Sequence, residues 1–362
     1  MNEKEFFENY VSNTLAGTSN QTYFDFTNPE TDSGYATGYA FYKIFKGGKF
    51  NYSLFFSNAL DSTFADGSFT KCNYPCGNWH IFGLSVAKVK SPKEFLNRGG
   101  SEIPLKINGE FQKDVTPCEK FFTDPIELDV SENEYICVII KFKGEKIPCH
   151  FENVILTYRA DENGINPSKY IPLPSMIGIE RRVEKRVAFW GDSITQGIGC
   201  AENSYKNYVA VCAENLGQKY SFWNLGIGFG RAHDAASGGI WLEKARHCDD
   251  VIVCFGVNDL YKISDYNTIK SSLDKIADDL KDKRVIFQTI PPFDYPEELV
   301  ENYLKLNEYI KNELKNKVFA VFDCAPYLCA DSPFKAKFGG HPNEQGCKIW
   351  GESLAAFLKD KL

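Results

Sequence analysis

A chain of 362 residues has room for about two domains with separate cores. With 43% hydrophobic and 25% charged residues it has the balance of a folded soluble protein, which excludes disordered and collagen-like classes. No apolar run approaches the ~18 residues of a membrane span. The net charge of −7 is spread as −4 up to Val183 and −3 beyond it, so neither half has the basic excess that would suit nucleic acid or an anionic membrane.

The opening stretch MNEKEFFENYVSNTLAG lacks the basic and apolar regions of a secretory signal. The twelve cysteines are scattered, and several sit inside apolar runs, as Cys254 does in DVIVCFG and Cys137 in YICVII. Such thiols behave as small hydrophobes, and a reducing cytoplasm tolerates them. A cytoplasmic location is therefore expected. Cys72 and Cys76 have the spacing of half a zinc site, but no second Cys/His pair accompanies them, so no metal is expected.

From Tyr23 to Tyr158 the chain reads as short apolar segments cut by Gly, Pro, Asn and Asp: ATGYAFYKIF, NYSLFF, WHIFGLSVAKV, PIELDV, EYICVIIKF and NVILTYR. Their spacing predicts an all-β jelly-roll or sandwich domain over residues 1–165, with one short helix in KEFFENYVSNTL. Residues 166–183, rich in proline, are expected to be a linker. From 184 to 362 the texture changes to alternating strands and helices. The predicted strands are RVAFW, KYSFWNL, DVIVCFG, RVIFQTI and VFAVFD, and the last helix is PNEQGCKIWGESLAAFLKDKL with Asn343 as its N-cap. Continuous apolar strands between helices predict an α/β domain, a parallel sheet covered on both faces. Ligands of such sheets bind at the carboxyl ends of the strands.

Four of those strand ends and loops carry polar groups. The first strand runs into Gly191-Asp192-Ser193-Ile194-Thr195, placing a hydroxyl at the crevice; alone, Ser193 could be only a turn residue. The second ends in Asn224-Leu225-Gly226-Ile227-Gly228-Phe229-Gly230-Arg231, whose glycines let backbone N–H groups approach a ligand. It follows the second strand rather than the first, which argues against a dinucleotide fingerprint. The third ends in Gly256-Val257-Asn258-Asp259, a carboxamide donor or simply a turn. The fourth is Gly339-Gly340-His341-Pro342-Asn343, before the last helix. His80 and His150 belong to the β half and His247 ends a helix, so His233 is the only competitor to His341. A hydroxyl, an imidazole and converging N–H donors are what acyl transfer requires.

GDSIT, NLGIG, GVND and HPN, in that order, resemble the four blocks of the SGNH (GDSL-type) hydrolases. The resemblance implies a three-layer, flavodoxin-like α/β/α fold, with Ser193 as nucleophile and His341 as base. It also implies Asn258 and a backbone N–H at Gly228 or Phe229 as oxyanion donors, and no cofactor. The α/β-hydrolase elbow G-x-S-x-G is absent. The sequence departs from the family at Phe338, where an Asp normally precedes the histidine by three residues. A backbone carbonyl from Phe338-Gly339-Gly340 is the expected substitute partner of the imidazole, with Asp331 the alternative. Some two-domain carbohydrate esterases of the superfamily use such a Ser-His dyad and carry an N-terminal β-sandwich, as this chain is expected to. The expected partner is therefore a small or oligosaccharide ester. A lipid or thioester acylhydrolase, and a carbohydrate-binding protein with a decayed site, are the competing readings.

Overall fold

The computed structural model describes residues 1–27, 34–62, 74–162 and 164–362; Cys72, half of the pair weighed for zinc, lies outside them. The chain divides into two compact units. The first comprises the described residues of Met1–Asp61 and Asn73–Arg182, and the second Val183–Leu362 with Ser62.

The first unit is antiparallel β-structure in two main sheets. Its longest strand, Tyr135–Cys149, pairs with Ala36–Lys43 on one side and Trp79–Val89 on the other. Inward residues Phe41, Val89, Cys137 and Ile139 form a core with Phe95. The other sheet is built around Gly48–Ser57, over which Phe6, Phe55 and Phe122 pack ring to ring at 4.6–6.0 Å.

Three details differ from the sequence reading. The opening helix is only Glu3–Asn9, held by a capping box between Asn2 and Glu5. Its continuation Tyr10–Ser12 is a strand instead, because it pairs with Met176–Glu180. That partner lies inside the expected linker, where MIGIE joins both Tyr10–Ser12 and Gly48–Ser57. Four of its five residues are buried, so burying an apolar run outweighs the flanking prolines. A short helix, Pro92–Arg98, also interrupts the β half, started by Ser91 and Pro92.

The second unit carries a five-stranded parallel sheet in the order Ser221–Asn224, Arg186–Gly191, Asp250–Cys254, Arg284–Gln288, Ala320–Phe322. Strand order therefore reverses at the first strand, between its neighbours. That is the point where loops diverge and leave a crevice at the carboxyl ends. Every residue of Ser221–Asn224 and Asp250–Cys254 is buried, as a sheet covered on both faces requires. Asn343 caps the closing helix Glu344–Leu358, accepting from Gln345 and Gly346 N–H at 3.1 Å each. Among the described residues, no helix is long and apolar enough to cross a membrane, and the cysteines are free of disulfides.

Candidate active site

Ser193 opens a one-turn helix, Ser193–Gln196, at the end of the first strand. Gly191 before it does not need positive φ, as a tight turn would suggest; it is required by close approach. A Cβ there would lie 2.1 Å from Thr195 Oγ1 and 2.6 Å from the Cys254 carbonyl. Asp192 caps the turn by accepting from Ile194 N–H at 2.9 Å. This leaves the Ser193 hydroxyl half-buried at the switch point.

The imidazole comes from the loop 148 residues further on, and Ser193 Oγ lies 2.8 Å from His341 Nε2. That separation is a hydrogen bond, the contact a nucleophile and its base must make. Gly199, at φ +103°, lets the loop after Ser193 pass under the histidine; a Cβ there would sit 2.7 Å from the His341 carbonyl oxygen. Phe293 holds the ring from the side, edge to face, with centroids 5.2 Å apart. Burial lowers the pKa of His341 below its ordinary 6.5, the direction opposite to that imposed by a paired carboxylate.

Phe338, where the family carries Asp, lies against the closing helix. A Cβ on Gly346 would be 2.7 Å from the Phe338 Cβ, so the position is used for packing. The Phe338 carbonyl accepts from Asn343 N–H at 3.1 Å, which ties this loop to the start of the closing helix. Asp331 sits exposed in a hairpin closed by the Cys329–Ala336 bridge.

The second and third blocks meet beside this pair. Asn258 stands in the first turn of a helix, Val257–Lys262, rather than in a plain loop. Its Nδ2 donates to the Gly230 carbonyl at 3.0 Å; a carboxamide has a second N–H for another acceptor. The Gly230 and Ile227 amides are committed, to the carbonyls of Ile227 and Gly191. Those two amides are thus used within the loop. Phe229 adopts φ +60° at the apex of the turn.

Asp259 reads in the sequence only as part of a turn. Its buried carboxylate accepts from the Ala232 and His233 amides at 2.9 and 3.1 Å, so Asn258 and Asp259 together hold the C-terminal end of the glycine loop. The same loop is clamped by the buried Arg231–Asp234 fork, at 3.0 and 2.7 Å. His233, the competing histidine, enters through its backbone. Burial raises the pKa of Asp192 to about 7, helped by the Asp259 charge, and that of Asp259 to about 6. Among the described residues no cluster of three or more His, Cys, Asp or Glu side chains is arranged to hold a metal.

Comparison with known proteins bears on the second unit first. Residues 189–349 match the GDSL-like Lipase/Acylhydrolase family. No curated protein matches the chain. Similar solved structures include a member of the lipolytic protein G-D-S-L family from Veillonella parvula, 17% identical over 49% of this chain and 99% of that one (TM-score 0.40). A carbohydrate acetylesterase from Sinorhizobium meliloti is 15% identical over 49% of this chain and all of its own (TM-score 0.36). A family two carbohydrate esterase from Clostridium thermocellum, determined with cellohexaose, is 15% identical over 97% of this chain and 98% of its own (TM-score 0.39).

Proposed function

We propose, since residues 189–349 match the GDSL-like Lipase/Acylhydrolase family, that this protein is a serine esterase that removes small acyl groups, acetyl above all, from a carbohydrate. The observation that carries the proposal is the 2.8 Å bond between Ser193 Oγ and His341 Nε2 at the sheet's switch point. Ser193 attacks the ester carbonyl as His341 takes its proton. Asn258 Nδ2 and the N–H of Gly228 or Phe229 stabilise the oxyanion. His341 then returns the proton to the leaving alcohol, and water clears the acyl-enzyme by the same route. The steps need only side chains and water.

Two features favour a carbohydrate over a lipid. The acid position holds Phe338, as in a Ser-His dyad or an atypical triad, the arrangement of some carbohydrate esterases of the superfamily. The hydrolase domain follows an antiparallel β unit, which we read as jelly-roll-like, as it does in those enzymes. The test is acetate release from acetylated xylan, mannan and simple acetylated sugars, against a decanoate ester. Ser193→Ala should lose on the order of 10⁶ in kcat with an unchanged melting curve. A loss below about tenfold would place the nucleophile elsewhere, and faster turnover of the decanoate would favour the lipid reading.

A further inference from the structure

The ester's two halves lie on opposite sides of the reacting carbon, and His341 marks one of them. Since His341 hands its proton to the departing oxygen, whatever flanks the imidazole flanks the alcohol rather than the acyl group. Phe293 is that flank, 5.2 Å from the His341 ring. It is fixed there because Gly340 presents its bare α-carbon to the ring, where a Cβ would be 3.1 Å away.

Phe293 continues into a second ring. Tyr261 lies 5.9 Å from it at 70°, and 5.9 Å from Tyr295, nearly parallel. Tyr295 is buried, whereas Tyr261 is 42% exposed, so the outer ring is backed by aromatic packing and open elsewhere. Tyr261 follows Asn258 by three residues in the same helix, a spacing that puts both side chains on one face. The wall of rings therefore joins the expected oxyanion donor to the expected base.

We propose that Tyr261 and Phe293 form the subsite for the alcohol half of the ester, and that this alcohol is a sugar ring. The inference rests on the esterase reading for its orientation. The chemistry of the wall selects the ligand. A pyranose offers an apolar C–H face to an aromatic ring and hydroxyls around its rim. Tyr261 supplies the ring, and the Asp294 and Glu298 carboxylates near its phenol supply acceptors for hydroxyls. Asp294 also accepts from the Ala336 N–H at 3.0 Å, which fixes it in place. A fatty alcohol would gain the ring contact but would desolvate both carboxylates without a partner.

The experiment compares kcat/KM for an O-acetylated disaccharide with that for ethyl acetate, whose alcohol has no sugar face to lay on Tyr261. Calorimetric binding of the acetylated disaccharide to Ser193→Ala is measured alongside. Tyr261→Ala should lower the sugar-to-ethyl ratio at least about tenfold, chiefly through KM, equivalent to about 1.4 kcal/mol. In the Ser193→Ala background it should weaken binding by a similar factor. Tyr261→Phe, which keeps the ring, should restore most of both. A ratio and a binding constant that stay within twofold in Tyr261→Ala overturn the subsite while leaving the esterase reading intact. Binding that weakens in an enzyme that cleaves neither acetate sustains the subsite and overturns the esterase reading.

Discussion

Replacing Asn258 separates a catalytic contact from a structural one, because in the proposed mechanism its carboxamide serves both. One Nδ2 hydrogen is spent on the Gly230 carbonyl at 3.0 Å; the other is the proposed oxyanion donor. Losing the first bond costs a neutral hydrogen bond, about 1 kcal/mol. In a unit of this size that lowers Tm by roughly 2–4 °C. Losing the second costs about 10²–10³ in kcat, or some 2.7–4 kcal/mol of transition-state stabilisation. Asn258→Ala should therefore melt only slightly early and yet turn over an acetate ester at least about a hundredfold more slowly, with KM changed little. Asn258→Asp should be slower still, since a carboxylate would face the developing negative charge. Steady-state kinetics on both variants, with thermal melts, make the comparison. A kcat within tenfold of wild type, or a rise in KM alone, would remove Asn258 from the oxyanion hole. A variant that lost activity only in proportion to its unfolded fraction would reduce it to a structural residue.

Two further perturbations probe the backbone and the buried acids. Gly199→Ala forces a Cβ to within 2.7 Å of the His341 carbonyl from a φ of +103°; displacement of the base by about 1 Å should cost on the order of 10² in kcat, and unchanged turnover would show that the loop absorbs the methyl. Asp192, raised to about 7 from 3.8, binds its proton more tightly folded than unfolded. Stability should thus be highest at the acid end of that window and fall as pH rises through it, by roughly 2–3 kcal/mol between pH 5 and 8. Denaturant melts of Asp192→Asn should show a flatter pH dependence; an equal slope would assign it to other groups.

How far the sequence carries depends on how local each signal is. The five strands of the second unit, the N-cap Asn343 and the Ser193–His341 pairing follow from apolar periodicity and four short motifs, each readable within a dozen residues. The strand Met176–Glu180 was hidden because its reason for forming is remote: its partners Tyr10–Ser12 and Gly48–Ser57 lie more than a hundred residues upstream, while the prolines before it are adjacent. Asp259 was misread for a similar reason. An Asp after a strand looks like a turn former, and the two amides it receives at Ala232 and His233 belong to a different loop. Phe293 carried no local signal either, since the contact with His341 spans 48 residues. Burial and long-range hydrogen bonding, unlike capping and periodicity, leave little trace in neighbouring residues.

The missing acid gives the last prediction. A triad carboxylate raises the imidazole's pKa and fixes its tautomer; a neutral acceptor does only the second. At His341 burial lowers the pKa below 6.5, and Phe338 packs on Gly346 instead of offering a charge. Because the base works as neutral imidazole, kcat/KM should fall only as pH drops through that lowered value. The acid limb should then lie below the ordinary 6.5 of a free imidazole. Asp331 is the alternative acid read from the sequence, and it stands exposed in its hairpin. Asp331→Asn should leave kcat within a few-fold and the acid limb unmoved. If Asp331 were the orienting acid, kcat would drop by about 10⁴, the loss seen when a triad Asp is amidated in other serine hydrolases, and the limb would shift to lower pH. That pair of changes would refute the dyad, whereas a flat response with an acid limb below 6.5 leaves a backbone carbonyl as the partner of Nδ1. Of the three carbonyls in 338–340, that of Phe338 also accepts from Asn343 N–H, and its second lone pair stays available to the imidazole.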